Sequence, residues 1–82
     1  MALQYFDVWQ VDTGALEMRG YVEDQYGRIA SGMGEWEPIP ASLADLHERL
    51  VSRGGYQRCH GVTARAPFTG NVEKWSRVHN IG

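Results

Sequence analysis

The chain has 82 residues, is 43% hydrophobic and 22% charged, and carries a formal net charge of −2 with one cysteine. That length sets the expectation of one small domain over residues 1–82 with a modest core. A single cysteine excludes an intramolecular disulfide and an all-cysteine zinc site, and no apolar run approaches the roughly 18 residues of a membrane-spanning helix. With no signal-peptide pattern either, the expected setting is a soluble cytoplasmic protein, or a phage protein made in a bacterial cytoplasm.

Residues 3–11, LQYFDVWQV, are dense in aromatic and β-branched residues and read as a strand. Alternation places Leu3, Tyr5, Asp7, Trp9 and Val11 on one face and Phe6 and Val8 on the other. Apolar groups on both faces predict a central strand, or one covered by a second subunit. Asp12-Thr13-Gly14 reads as a hairpin turn with Gly14 at positive φ. Residues 15–22 form the return strand, with Leu16, Met18, Gly20 and Val22 towards the core and Glu17, Arg19 and Tyr21 towards solvent. Residues 23–27 make a second turn with Gly27 left-handed. A weaker third strand is expected over residues 28–33, with Ile29 and Met33 facing the core. Residues 35–40, EWEPIP, are an extended connection that brings Trp36 and Ile39 to the core edge.

Residues 42–55, SLADLHERLVSRGG, carry the helix signal. Leu43, Leu46, Leu50 and Val51 fall at i, i+3, i+7 and i+8, one apolar stripe at helical spacing. The Ser42 hydroxyl is suited to accept from an otherwise unpaired backbone N–H, and Asp45 favours the positive end of the helix dipole. Pro38 and Pro40 prevent an earlier start, and Gly54-Gly55 permits a left-handed stop. So short a helix must bury its leucines against another element, and the strand-rich remainder makes that element a sheet.

Residues 56–66 read as a fourth strand with a bulge near Gly61, and residues 67–71, PFTGN, as a turn. Residues 72–81 fit two readings: a short helix capped by Asn71, with Val72, Trp75 and Val78 at i, i+3 and i+6, or a final strand. The fold expected is therefore α+β, an antiparallel β-meander with one helix packed across it, in the order β-β-β-α-β plus a short C-terminal helix or strand.

Charge is unevenly spread. Residues 1–48 hold nine acids and two bases, and residues 49–82 hold six bases and one acid. Such a split either marks an anionic partner for the basic half or cancels within the fold once strands from both halves share a sheet.

The candidate chemistries are few. Cys59 and His60 are adjacent, so on a strand they point to opposite faces, and His47 or His79 would have to act as base for a Cys59 nucleophile. A lone cysteine more often serves as a small buried apolar residue. The three histidines lack a close pair such as H-x-x-x-H and a second cysteine, so no metal site is assigned. Gly32-Met33-Gly34 lacks the residues of a phosphate loop. Glu35 and Glu37 flank Trp36, a grouping found in glycan sites and equally in solvated loops.

The C-terminal third interleaves Tyr56, Arg58, His60, Arg65, Phe68, Lys74, Trp75 and Arg77. Cationic grooves with stacking rings bind single-stranded nucleic acid, and the same residue types dominate protein–protein hot spots. Trp9 reads as core, whereas Trp36 and Trp75 are interaction anchors if a small core leaves them exposed. The expected binding set is Trp36, Tyr56, Arg58, His60, Arg65, Trp75 and Arg77, with no catalytic residue, metal or cofactor assigned. The leading expectation is a non-enzymatic protein-binding module that self-associates as a homodimer or meets a heterologous protein partner. In size it matches accessory or inhibitor proteins of phage and mobile elements, and no membrane association is expected. A nucleic-acid-binding module using the Arg/aromatic C-terminal third is the alternative. A small enzyme or ligand carrier built on Cys59, His60 and Trp75 stands third.

Overall fold

Strand β1 spans Tyr5–Asp12 and is central, as expected, with a hydrogen-bonded neighbour along each edge. The computed structural model describes residues 3–65 and 71–79, with residues 60–64 described by their backbone. Among these, β2 (Glu17–Asp24) and β5 (Asn71–His79) flank β1, while β3 (Glu37–Pro38) and β4 (Gln57–Ala64) lie outside them. The spatial order is β3-β2-β1-β5-β4, and each neighbouring pair is antiparallel. The expected α+β architecture is present, with one refinement. The first three strands make a meander, and β4–β5 is a hairpin turned so that the last strand lies beside the first.

Helix α1 (Leu43–Glu48) continues into a wider π-helical turn over Arg49–Arg53. Ser42 caps it as its residue type predicts, its Oγ accepting from the Asp45 N–H at 3.2 Å. The helix stops where the glycines allow. Gly55 takes φ +69°, and the Gly54 and Tyr56 N–H groups donate to the Arg49 and Leu50 carbonyls. Because β3 and β4 are opposite edges, the chain between them must cross the sheet, and this segment lays its leucines on one face. Leu46 and Leu50 join Val11, Met18, Tyr56 and Trp75 in a buried cluster, with Trp9, Ile39 and Leu43 packed against it. Burying each leucine is worth about 1.5–3 kcal/mol. Val51, read as part of the stripe, is 54% exposed. As the neighbour of Leu50 it points about 100° away from it around the helix, off the leucine face.

Two local expectations are corrected and one open choice is decided. Residues 28–33 do not form a strand: Ile29 makes an isolated bridge to Glu23, and Ile29 and Met33 are exposed. The segment instead runs irregularly along β2. The Ala30 and Gly34 N–H groups donate to Val22 and Gly20 carbonyls, and the true third strand is the Glu37–Pro38 pair opposite Met18 and Glu17. Pro38 is tolerated because it sits in an edge strand. Second, of the two readings open for residues 72–81 the strand is the one formed, over Asn71–His79. Third, the left-handed residue of the first turn is Leu16, at φ +58°, rather than Gly14. The bulge expected near Gly61 is present as a register shift between Cys59 and Thr63, and Gly27 is left-handed as expected. The turn read from PFTGN lies mostly outside the described residues.

The Leu16 geometry carries a stability prediction. A left-handed non-glycine residue costs roughly 1 kcal/mol, and asparagine tolerates that region well. Leu16 is half exposed, so little packing is lost on replacing it. Leu16→Asn is expected to raise Tm by roughly 4–8 °C in a calorimetric scan; an unchanged or lower Tm would show the turn to be unstrained.

Candidate functional site

The charge asymmetry resolves inside the fold. Bases from the second half meet acids from the first. Arg65 bridges Asp12 and Glu17, Lys74 pairs with Glu23 at 2.8 Å, and Arg77 pairs with Asp7 at 3.1 Å. Within the second half, Glu73 is buried beneath Arg58 and His47. These pairings follow from β1 lying between β2 and β5, which sets Gln10 against Arg19 on one side and Lys74 on the other.

The expected binding residues divide between the two sheet faces. On the face away from the helix, the guanidiniums of Arg65 and Arg19 lie 3.9 and 4.5 Å from the centre of the half-buried Trp36 ring. Arg19 also donates to Gln10 at 2.7 Å. Glu17, Arg19 and Tyr21, expected in solvent, are half-buried here. Burial, together with the Glu23 carboxylate, raises the Tyr21 hydroxyl pKa above its ordinary value. Lys74 is also raised. Partial burial pulls its pKa down, but the hydrogen bond and charge of Glu23 outweigh that pull. On the helix-bearing face Trp75 and Tyr56 are core residues, not surface anchors. Arg58 is largely exposed over Glu73, and Arg77 stacks on the Tyr56 ring at 4.7 Å. The His60 side chain lies outside the described residues.

Neither enzymatic constellation is assembled among the described residues. The Cys59 thiol contacts the Ser76 hydroxyl at 3.3 Å, while His47 and His79 bond to Glu73 and Asp7. Among the described residues no group of three or more His, Cys, Asp or Glu side chains is placed to hold a metal, and no helix is long and apolar enough to cross a membrane.

One concave feature stands out, and the sequence pointed to it only in part. A helical segment of about three turns cannot cover a whole sheet face. The leucines cover Val11, Met18 and Trp75, and the rest of β1 and β2 is left as an open groove of about 400 Å³. Asp7, Trp9, Gly20, Glu35, Glu37 and Tyr56 line it. Trp9 faces Gly20 across the strand pair, and a Cβ on Gly20 would stand 2.9 Å from the indole, so the ring lies directly over the glycine. Gly34 allows the opposite wall to close in: its N–H donates to the Gly20 carbonyl at 3.0 Å, and a Cβ there would clash with that oxygen. The Trp9 indole N–H donates to the Tyr56 hydroxyl at 3.1 Å, which fixes both rings.

The two sides of the groove differ electrostatically. Asp7 is occupied by Arg77 and His79. Glu35 and Glu37 are exposed, and among the described residues neither has an ion-pair partner. Two residues apart on an extended segment, they point to the same side while Trp36 points to the other. The signal available in sequence was that Glu-Trp-Glu alternation; its partners Trp9 and Gly20 are joined to it only by strand pairing.

Comparison with protein-family models, characterised proteins and solved structures found no match to this chain.

Proposed function

We propose that this chain is a non-enzymatic protein-binding module that self-associates, with a cytoplasmic setting and the groove as its docking site. The observation that carries this reading is an aromatic-floored groove of about 400 Å³ with two uncommitted carboxylates on its wall. Rigid aromatic rings in a concave, partly dry setting are the usual anchors of protein interfaces. The nucleic-acid alternative has less support. Arg65, Lys74 and Arg77 are neutralised by carboxylates, and Trp75 and Tyr56 are buried where no base can stack on them.

Self-association is supported by the sheet edges. The outer edge of β2 is occupied by β3 and by the backbone of residues 30–34. Among the described residues β4 has a strand neighbour on one side alone, which leaves a free edge for a second copy. That edge belongs to β4, whereas the strands under the groove are β1 and β2.

Size-exclusion chromatography with light scattering, at low and high salt, tests both parts. A dimer indifferent to salt and free of 260 nm absorbance is expected. Nucleic acid carried at low salt and stripped at high salt would overturn the protein-binding reading, because phosphate contacts weaken steeply with salt. A monomer at both salts would overturn self-association.

A further inference from the structure

We infer that the groove beside Trp9 receives an arginine side chain presented by an extended segment of a partner protein. This inference rests on the protein-binding reading above and names the chemistry of its site. The first argument is charge complementarity. Glu35 and Glu37 face the groove without a cation, and Asp7 below them already has one. An incoming cation meets two exposed carboxylates and loses little hydration in reaching them, whereas an incoming carboxylate is repelled.

The second argument is that the same chemistry is already realised next door. Arg77 lies 4.7 Å over the Tyr56 ring while its Nε pairs with Asp7 and its Nη1 donates to the Gly54 carbonyl. That is one guanidinium held by a ring, a carboxylate and a backbone oxygen. Across the groove Trp9 provides a second ring, hydrogen-bonded to Tyr56, and Glu35 and Glu37 provide the carboxylates. A planar guanidinium can lie over an indole and pair with carboxylates at once; an ammonium on a flexible stem matches this geometry less well. The walls are set by β2 and by backbone bonds of Gly34, so the site is preformed.

The test uses the full chain, labelled with nitrogen-15, and three blocked pentapeptides, Gly-Ser-X-Ser-Gly, in which X is arginine, lysine or the neutral isostere citrulline. The arginine peptide is expected to shift the indole N–H resonance of Trp9 saturably while leaving that of the buried Trp75 in place. Lysine should bind more weakly, and citrulline should not register. In Glu35→Gln/Glu37→Gln, where both changes are exposed and leave the fold intact, the arginine affinity should fall by about tenfold. Equal responses to arginine and lysine, or to arginine and citrulline, would overturn the assignment. So would an arginine response that survives in the double variant, or no response of Trp9 to any peptide. A citrulline peptide that binds at Trp9 would still leave a protein-docking groove, whereas nucleic acid found by light scattering removes the parent reading itself.

Discussion

Trp75→Ala is expected to leave the protein without a cooperative thermal transition. Trp75 is 5% exposed at the centre of the core, opposite Trp9 in the β1–β5 register and beside Arg58 in β4. It lies 5.3 Å from the His47 ring, and its indole N–H points to the buried Glu73 carboxylate. Truncating such a residue removes its packing and leaves a cavity, a loss of about 3–5 kcal/mol. A small domain often has little more than that in total. The buried Glu73 would also lose a donor. Trp75→Phe retains most of the ring and should melt cooperatively at a lower temperature. Circular dichroism melts of both variants check this. An alanine variant that melts within a few degrees of the parent would mean that Trp75 is a surface anchor after all.

Asp12→Asn is expected to destabilise the protein by roughly 1.5–3 kcal/mol at pH 7, and to do so progressively less as the solution is acidified. Asp12 is fully buried at the end of β1. Its Oδ1 accepts from the Gly14 and Ala15 N–H groups at 3.0 and 2.9 Å, and its Oδ2 from Arg65 at 3.2 Å. The Ala15 N–H is the strongest influence on its pKa; burial opposes it, and Gly14 and Arg65 add to it, so the carboxyl is held below its ordinary value. A depressed carboxylate pKa contributes stability that is complete above the unfolded value, about 3.9, and is lost as pH falls through the folded one. Urea midpoints at pH 7 and near pH 3 would measure this. The parent and Asp12→Asn should differ clearly at neutral pH and converge in acid. Equal midpoints at pH 7 would show that the network contributes nothing. Arg65 retains Glu17 and Trp36 in the variant, so its own displacement is small.

The parts of this fold that were legible in sequence are those set by near neighbours. Ser42, the leucine spacing and Gly54-Gly55 are all within one helix, and the helix forms where they place it. The aromatic density of β1 on both faces announced a central strand, because burial on two sides needs no knowledge of the partners. What failed was decided at a distance. Ile29 and Met33 have the right residue types for a strand, yet β2 takes its edge bonds from the backbone of residues 30–34 and its strand partner from Glu37 and Pro38. Val51 sits at the margin of the stripe, and the sheet reaches Leu46 and Leu50 but leaves it 54% exposed. Arg65, Trp75 and Arg77 looked like one basic, aromatic surface, and pairing separated them. Arg65 lies on the face away from the helix, Trp75 is in the core, and Arg77 is over Tyr56. The groove was visible as Glu35-Trp36-Glu37 alone, because its floor comes from β1 and β2.

Placing the earliest strand in the middle of the sheet has a consequence for biosynthesis. Tyr5 pairs with His79 and Asp12 with Val72. At a translation rate of 5–20 residues per second, the ribosome needs roughly 3–15 s to deliver β5 after β1 has emerged. Through that interval β1 has β2 beside it and no strand on its other edge. The nascent β1–β2 hairpin therefore keeps one unpaired edge until β5 arrives. In refolding from denaturant the same long-range pairing must close before β1 is complete, which slows folding relative to chains held mainly by local contacts.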